Sequence, residues 1–108
     1  TGCTGYGLAA LDNNGRSKWW RKLTQMEFSE ESPVIDSEGV VYMVGGAYDG
    51  DANGINLYAI NPDGSVKFKL AITTASELPD IDTTPAIGQN GILYVGSDKS
   101  GSQVFAIN

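Results

Sequence analysis

The sequence predicts an all-β protein made of tandem copies of one strand-turn-strand unit. Three observations predict it. The first is a unit seen in full at Leu57-Tyr58-Ala59-Ile60, Asn61-Pro62-Asp63-Gly64 and Ser65-Val66-Lys67-Phe68, an apolar run, a turn, and an alternating run. It stands earlier as Leu8-Ala9-Ala10-Leu11 through Trp19, and its first half returns as Val104-Phe105-Ala106-Ile107-Asn108. The second is an interleaved unit. Ser32-Pro33-Val34-Ile35 and Gly39-Val40-Val41-Tyr42-Met43 recur as Thr84-Pro85-Ala86-Ile87 and Gly91-Ile92-Leu93-Tyr94-Val95. The third is the spacing. Ala10 to Ala59 is 49 positions, Ala59 to Ala106 is 47, and Pro33 to Pro85, Gly39 to Gly91 and Tyr42 to Tyr94 are each 52. A fixed order of elements with slightly drifting spacing is the mark of a repeat array with loop insertions.

A period near 50 residues, built of strands, fits the four-stranded blade of a β-propeller. Such rings hold about 4–8 blades, and 108 residues hold about two repeats of this period. The expected architecture is therefore a partial β-propeller of about two four-stranded antiparallel blades, a fragment of a larger ring. Residues 1–23 would end an incomplete first blade, 24–70 would form a complete second blade, and 71–108 would supply three strands of a third. Thr1-Gly2-Cys3-Thr4-Gly5 aligns with Ser97-Asp98-Lys99-Ser100-Gly101, so the chain reads as starting and stopping inside a blade. It is then a segment of a longer protein or one unit of a self-assembling ring.

Each element has its own warrant. Residues 6–11 and 16–22 read as strands joined at Asn14-Gly15, a tight-hairpin dipeptide. The polar, acidic residues 24–31 suit a surface crossover. Residues 32–35 read as an innermost strand, because Pro33 cannot donate to a ladder and belongs on an edge. After the Asp36-Ser37-Glu38-Gly39 turn, residues 40–44 are nearly all apolar, as in a strand covered on both faces. Residues 57–60 give the third strand. Residues 66–70 alternate apolar and charged, which predicts a half-exposed outer strand guarded by Lys67 and Lys69. Residues 83–87, 92–97 and 103–107 repeat the first three strands, with Asn90-Gly91 at the turn. No amphipathic helix of useful length is visible.

Composition narrows the function classes. Seven basic against thirteen acidic residues give a net charge of −6, which argues against a nucleic-acid partner. No apolar run approaches the roughly 20 residues of a membrane span. The single cysteine, Cys3, excludes a disulfide framework. Thr1-Gly2-Cys3 is similar to the end of a lipoprotein signal, but Cys3 also falls where Lys99 falls, in a hairpin loop.

The residues also carry a family likeness. Tyr58-Ala59-Ile60-Asn61-Pro62-Asp63-Gly64 with Lys67 and Phe68, and Thr84-Pro85-Ala86-Ile87 with Gly91-Ile92-Leu93-Tyr94-Val95-Gly96-Ser97, resemble the repeat of the pyrroloquinoline-quinone-like (PQQ-like) β-propellers. The likeness covers essentially the whole chain. It implies that Trp19 and Phe68, each four residues after its turn glycine, dock against the neighbouring blade. It also implies a periplasmic, cell-surface or secreted protein. The turns before Gly15 and Gly64 are shorter than in the quinoprotein alcohol dehydrogenases, and no residue matches that group's cofactor contacts. Kelch repeats fit less well, with a paired glycine only at Gly45-Gly46, and WD-type repeats would need histidine, which the chain lacks.

The candidate sites are few. Asp49, Asp51 and Asn53, followed by Gly54, place oxygen ligands at alternate positions as in the first half of a calcium loop. The closing acidic ligand is missing, since position 12 is Ile60, and a plain polar hairpin loop explains the same residues. Trp19-Trp20-Arg21-Lys22 reads as an outer strand with Trp19 inward and the basic residues in solvent. Glu27, Glu30, Glu31, Asp36 and Glu38 read as solvated charge on a crossover and a turn. Without histidine the commonest activation of a serine nucleophile is missing. Two function classes follow. One is a non-catalytic repeat segment that binds or scaffolds protein or polymer partners, with neighbouring blades as its first partners, no cofactor, and calcium at most. The other is a fragment of a PQQ-dependent quinoprotein dehydrogenase, for which this segment offers no PQQ contact.

Overall fold

A computed structural model describes residues 6–24, 32–46, 55–72, 84–96 and 104–108. Every regular element in those residues is a β-strand. In order they are β1 (Tyr6–Leu11), β2 (Ser17–Thr24), β3 (Val34–Ile35), β4 (Val41–Gly46), β5 (Ile55–Ile60), β6 (Val66–Ala71), β7 (Ala86–Ile87), β8 (Leu93–Gly96) and β9 (Val104–Ile107). They form three antiparallel sheets in plain meander order, β1-β2, then β3-β4-β5-β6, then β7-β8-β9.

The strands sit where they do because four turns of one design set their limits. In each, a glycine N–H donates to the carbonyl three residues back, and the first turn residue then donates to the carbonyl four residues on. The pairs are Gly15 to Asp12, Gly39 to Asp36, Gly64 to Asn61 and Gly91 to Gly88, at 2.9–3.1 Å. Each glycine has φ between 77° and 87°, the left-handed region that side chains disfavour. This is the three-residue hairpin loop with a bulge glycine. The glycine is what closes the turn, so Asn14-Gly15 and Asn90-Gly91 mark the last two turn positions rather than a two-residue loop.

Side chains tie the turns shut. The Asp12 carboxylate accepts from the N–H groups of Asn14 and Arg16 at 2.8 and 2.9 Å. Asp36 accepts from those of Glu38 and Val40, both at 2.9 Å. An acidic side chain satisfying nearby N–H groups is why Asp favours such turns.

Register then sorts residues onto two faces. Val34 pairs with Tyr42, Tyr42 with Ala59, Val44 with Leu57, Ala59 with Phe68 and Leu57 with Leu70. Directly paired residues share a face, so these form one face of the second sheet. Val41, Met43, Tyr58 and Ile60 form the other, with Lys69 across from Tyr58 and, past a register shift, Val66 across from Ile60. Val44 and Leu57 pack into one buried cluster with Leu93 and Val95 of the third sheet, and Val34, Tyr42, Ile87 and Ile107 close around them. One buried cluster therefore lies between the second and third sheets, with side chains of both inner faces interdigitating, while Met43, Tyr58 and Ile60 are buried on the second sheet's other face.

Two expectations need correction. Strands β3 and β7 are shorter than the patterns suggest: pairing starts at Val34 and Ala86, after Pro33 and Pro85, which have no N–H to donate. And β6 is not half-exposed. Val66, Phe68 and Leu70 are 46%, 37% and 41% exposed, like the rest of the strand. The described strands of the third sheet match only the first three strands of the second, so no described strand there corresponds to β6.

Candidate functional site

The densest set of specific contacts surrounds the turn at Asn61, Pro62, Asp63 and Gly64. Strand β2 brings Trp19 and Arg21 to it, two residues apart and so on one face. The Trp19 indole lies over Gly64, and its Nε1–H donates to the Pro62 carbonyl at 2.9 Å. The Arg21 Nε–H donates to the Gly64 carbonyl at 2.7 Å. A Cβ on Gly64 would stand 2.8 Å from Trp19 Cδ2 and 2.9 Å from Cγ, so the close approach of ring to backbone needs glycine. Its φ of 87° needs glycine as well. On the other side the Pro62 ring covers Gly39, where a Cβ would meet Pro62 Cγ at 3.1 Å. The turn is thus held between β2 of the first sheet and the preceding turn of its own sheet.

Charges around it are fixed by hydrogen bonds. Partial desolvation pushes the Asp36 carboxyl up. The N–H of Val40, the Tyr42 hydroxyl, the N–H of Glu38 and the charge of Lys67 outweigh it and leave Asp36 below the ordinary range. The Tyr42 hydroxyl donates to Asp36 Oδ2 at 3.0 Å. Burial, then that bond and the charges of Asp36 and Glu38, push the phenol up. Asp63 is held low by the Ser65 hydroxyl and N–H, with help from the Arg21 charge. At neutral pH, then, Asp36 and Asp63 are committed acceptors and Tyr42 a committed donor. The arrangement fixes backbone geometry and leaves none of the three poised to exchange a proton.

The sequence-derived candidates fall as follows. Trp19 bridges the first and second sheets through the contacts above. Phe68, its repeat counterpart, meets Tyr42 of its own sheet instead, with centroids 6.3 Å apart and planes tilted by 51°. Asp49, Asp51 and Asn53 lie outside the described residues, as do Glu27, Glu30 and Glu31. Among the described residues no three His, Cys, Asp or Glu side chains gather as a metal site. Two readings are corrected. Arg21 is not simply in solvent, because its guanidinium binds the Gly64 carbonyl. Asp36 is not loose turn charge, because it accepts from two N–H groups and a phenol. The signal for Asp36 was its place as first residue of a glycine-closed turn, shared with Asp12. Arg21 carried none, since its partner is 43 residues away. No protein-family model matches this chain, and no curated protein matches it.

Proposed function

We propose that the chain is a non-catalytic segment of a PQQ-like β-propeller whose stacked sheets serve as a binding or scaffolding module for a protein or polymer partner. The observation that carries this reading is that the sheets are joined one to the next: Trp19 and Arg21 of the first bind the Asn61–Gly64 turn of the second, and Val44 and Leu57 of the second pack with Leu93 and Val95 of the third. Stacked repeats of this kind present broad surfaces with many loops to large partners. The resemblance of the repeats supports a place in a bacterial or archaeal envelope or outside the cell. Calcium, if used, belongs to Asp49, Asp51 and Asn53.

The test sets binding against catalysis. The purified chain is equilibrated with pyrroloquinoline quinone and calcium, and quinone absorbance and dye-linked alcohol oxidation are followed. It is then titrated by interferometry against envelope polysaccharides and peptide arrays. The expected result is saturable binding to a polymer or peptide and no retained quinone. Stoichiometric quinone uptake with dehydrogenase turnover replaces this reading with the quinoprotein one.

A further inference from the structure

The four glycine turns can be compared position by position, and each must satisfy the N–H of the residue that follows its glycine. In the first two, the first turn residue supplies the acceptor. Asp12 Oδ1 takes the Arg16 N–H at 2.9 Å, and Asp36 Oδ1 takes the Val40 N–H at 2.9 Å. In the other two, the residue before the glycine supplies it. Asp63 Oδ1 takes the Ser65 N–H at 2.8 Å, and Asn90 Oδ1 takes the Ile92 N–H at 3.2 Å. The last turn has no alternative, because its first residue is Gly88. The two asparagines that precede a turn glycine therefore differ. The Asn90 carboxamide is in use. That of Asn14 is idle, since Asp12 already holds the N–H it would serve, and among the described residues it has no hydrogen-bond partner.

In other respects the two sites match. Gly15 and Gly91 both have φ of 77°. Each donates its N–H at 3.0 Å to the carbonyl three residues back. A Cβ on either would meet nothing within 4 Å, and both asparagines are exposed. The nitrogen after each asparagine also belongs to glycine, with no side chain to shield it.

We infer that Asn14 is a site of spontaneous deamidation in the folded protein, and that Asn90, in the same dipeptide, is held back by its bond to Ile92. The Gly15 nitrogen attacks Asn14 Cγ as its proton is lost. The new N–Cγ bond displaces Nδ2, which leaves as ammonia with that proton, and a succinimide closes. Water then opens the ring. Attack at Cγ leaves aspartate. Attack at the Asn14 main-chain carbonyl leaves isoaspartate, with the chain now running through Cγ. At Asn90 the same closure pulls Oδ1 away from the Ile92 N–H, so one more bond must break first. The two products differ in effect. An acid before the glycine already stands at Glu38 and Asp63, so aspartate suits the turn. Isoaspartate lengthens the backbone by one methylene inside the loop that the Gly15-to-Asp12 bond closes, at the head of the strand that carries Trp19 and Arg21.

The experiment ages the full 108-residue chain in mildly alkaline buffer, with and without urea, and digests it with trypsin. Cleavage after Arg16, Lys22, Lys67, Lys69 and Lys99 puts Asn14, Asn53 and Asn90, the three asparagines followed by glycine, in separate peptides. Mass spectrometry follows amide-to-acid conversion in each, and an isoaspartate methyltransferase with labelled S-adenosylmethionine counts the isoaspartate. Without urea, Asn14 is expected to convert about fivefold faster than Asn90, the rate equivalent of one net hydrogen bond. In urea the two should run alike. Asp12→Gly copies the last turn and should slow Asn14 to the Asn90 rate. Gly88→Asp copies the first turn and should speed Asn90, since a Cβ there would already crowd Asn90 Oδ1 at 3.0 Å. Circular dichroism checks that each variant keeps its β-sheet spectrum, and if one loses it the other carries the test. Equal rates without urea, a difference that persists in urea, or a folded variant whose rates do not move overturns the inference. None of these outcomes touches the quinone and polymer titrations, so the scaffold reading stands or falls separately.

Discussion

Single residues in this protein differ sharply in what surrounds the same backbone shape. Gly15 and Gly64 have φ of 77° and 87°, yet a Cβ at Gly15 would meet nothing within 4 Å while one at Gly64 would strike Trp19. Gly15→Ala should cost roughly the 1–2 kcal/mol of the left-handed backbone alone. Gly64→Ala should cost clearly more, and urea unfolding of the two variants measures the difference. Trp19→Phe keeps a ring over Gly64 but gives up the bond to the Pro62 carbonyl, an expected loss of about 1 kcal/mol. The Asp36 prediction concerns pH. Its carboxyl is lowered in the folded state, so the stabilisation is fully present above the ordinary value of 3.8 and is lost as pH falls through the folded-state value. Asp36→Asn should therefore lower the urea midpoint at pH 7 and make it less sensitive to acidification below about pH 4. An unchanged acid slope would show that Asp36 does not contribute to it. Sequence gave access to the turn aspartates because they act within four residues. It gave none to the partners of Arg21 and Tyr42, because those depend on how sheets and strands are aligned.

At the scale of elements, the strands were legible where a glycine or proline punctuates an apolar run. Gly39 and Gly64 limit β4 and β6, and Pro33 and Pro85 delay β3 and β7. Exposure was less legible. The alternation in β6 states which residues share a face, but only the neighbouring sheet decides whether that face is covered, and its described strands stop short of Phe68 and Leu70. The predicted docking aromatics divide for the same reason. Trp19 finds Gly64 in the second sheet, whereas Phe68 meets Tyr42 of its own sheet. Packing between elements can be tested at Leu57 and Val95, both fully buried in the core cluster. Leu57→Ala should cost about 2–5 kcal/mol. Combined with Val95→Ala it should depart from additivity by at least 0.5 kcal/mol, as groups sharing one cavity do. Additive losses would mean that the two sheets do not pack through these side chains.

Taken whole, the molecule measures 44 × 39 × 20 Å, and its second and third sheets pack face to face. Protection should follow from that layout. Strands β4 and β5 hold the buried residues Val44, Leu57 and Ile60, while β6 and β9 carry exposed apolar side chains. Native-state hydrogen exchange is expected to be slowest in β4 and β5 and fast in β6 and β9. Uniform protection would point to a covering not seen among the described residues. The all-β class and the meander order could be read from the period and the turns. The pairing of one sheet's face with the opposite face of the next could not, because it is a relation between repeats and no single repeat encodes it. That relation bears on heredity. Since each sheet offers the same kind of face forward and accepts the same kind behind, a gene duplication or deletion of one whole period, 47–52 codons, leaves every remaining junction with a familiar neighbour.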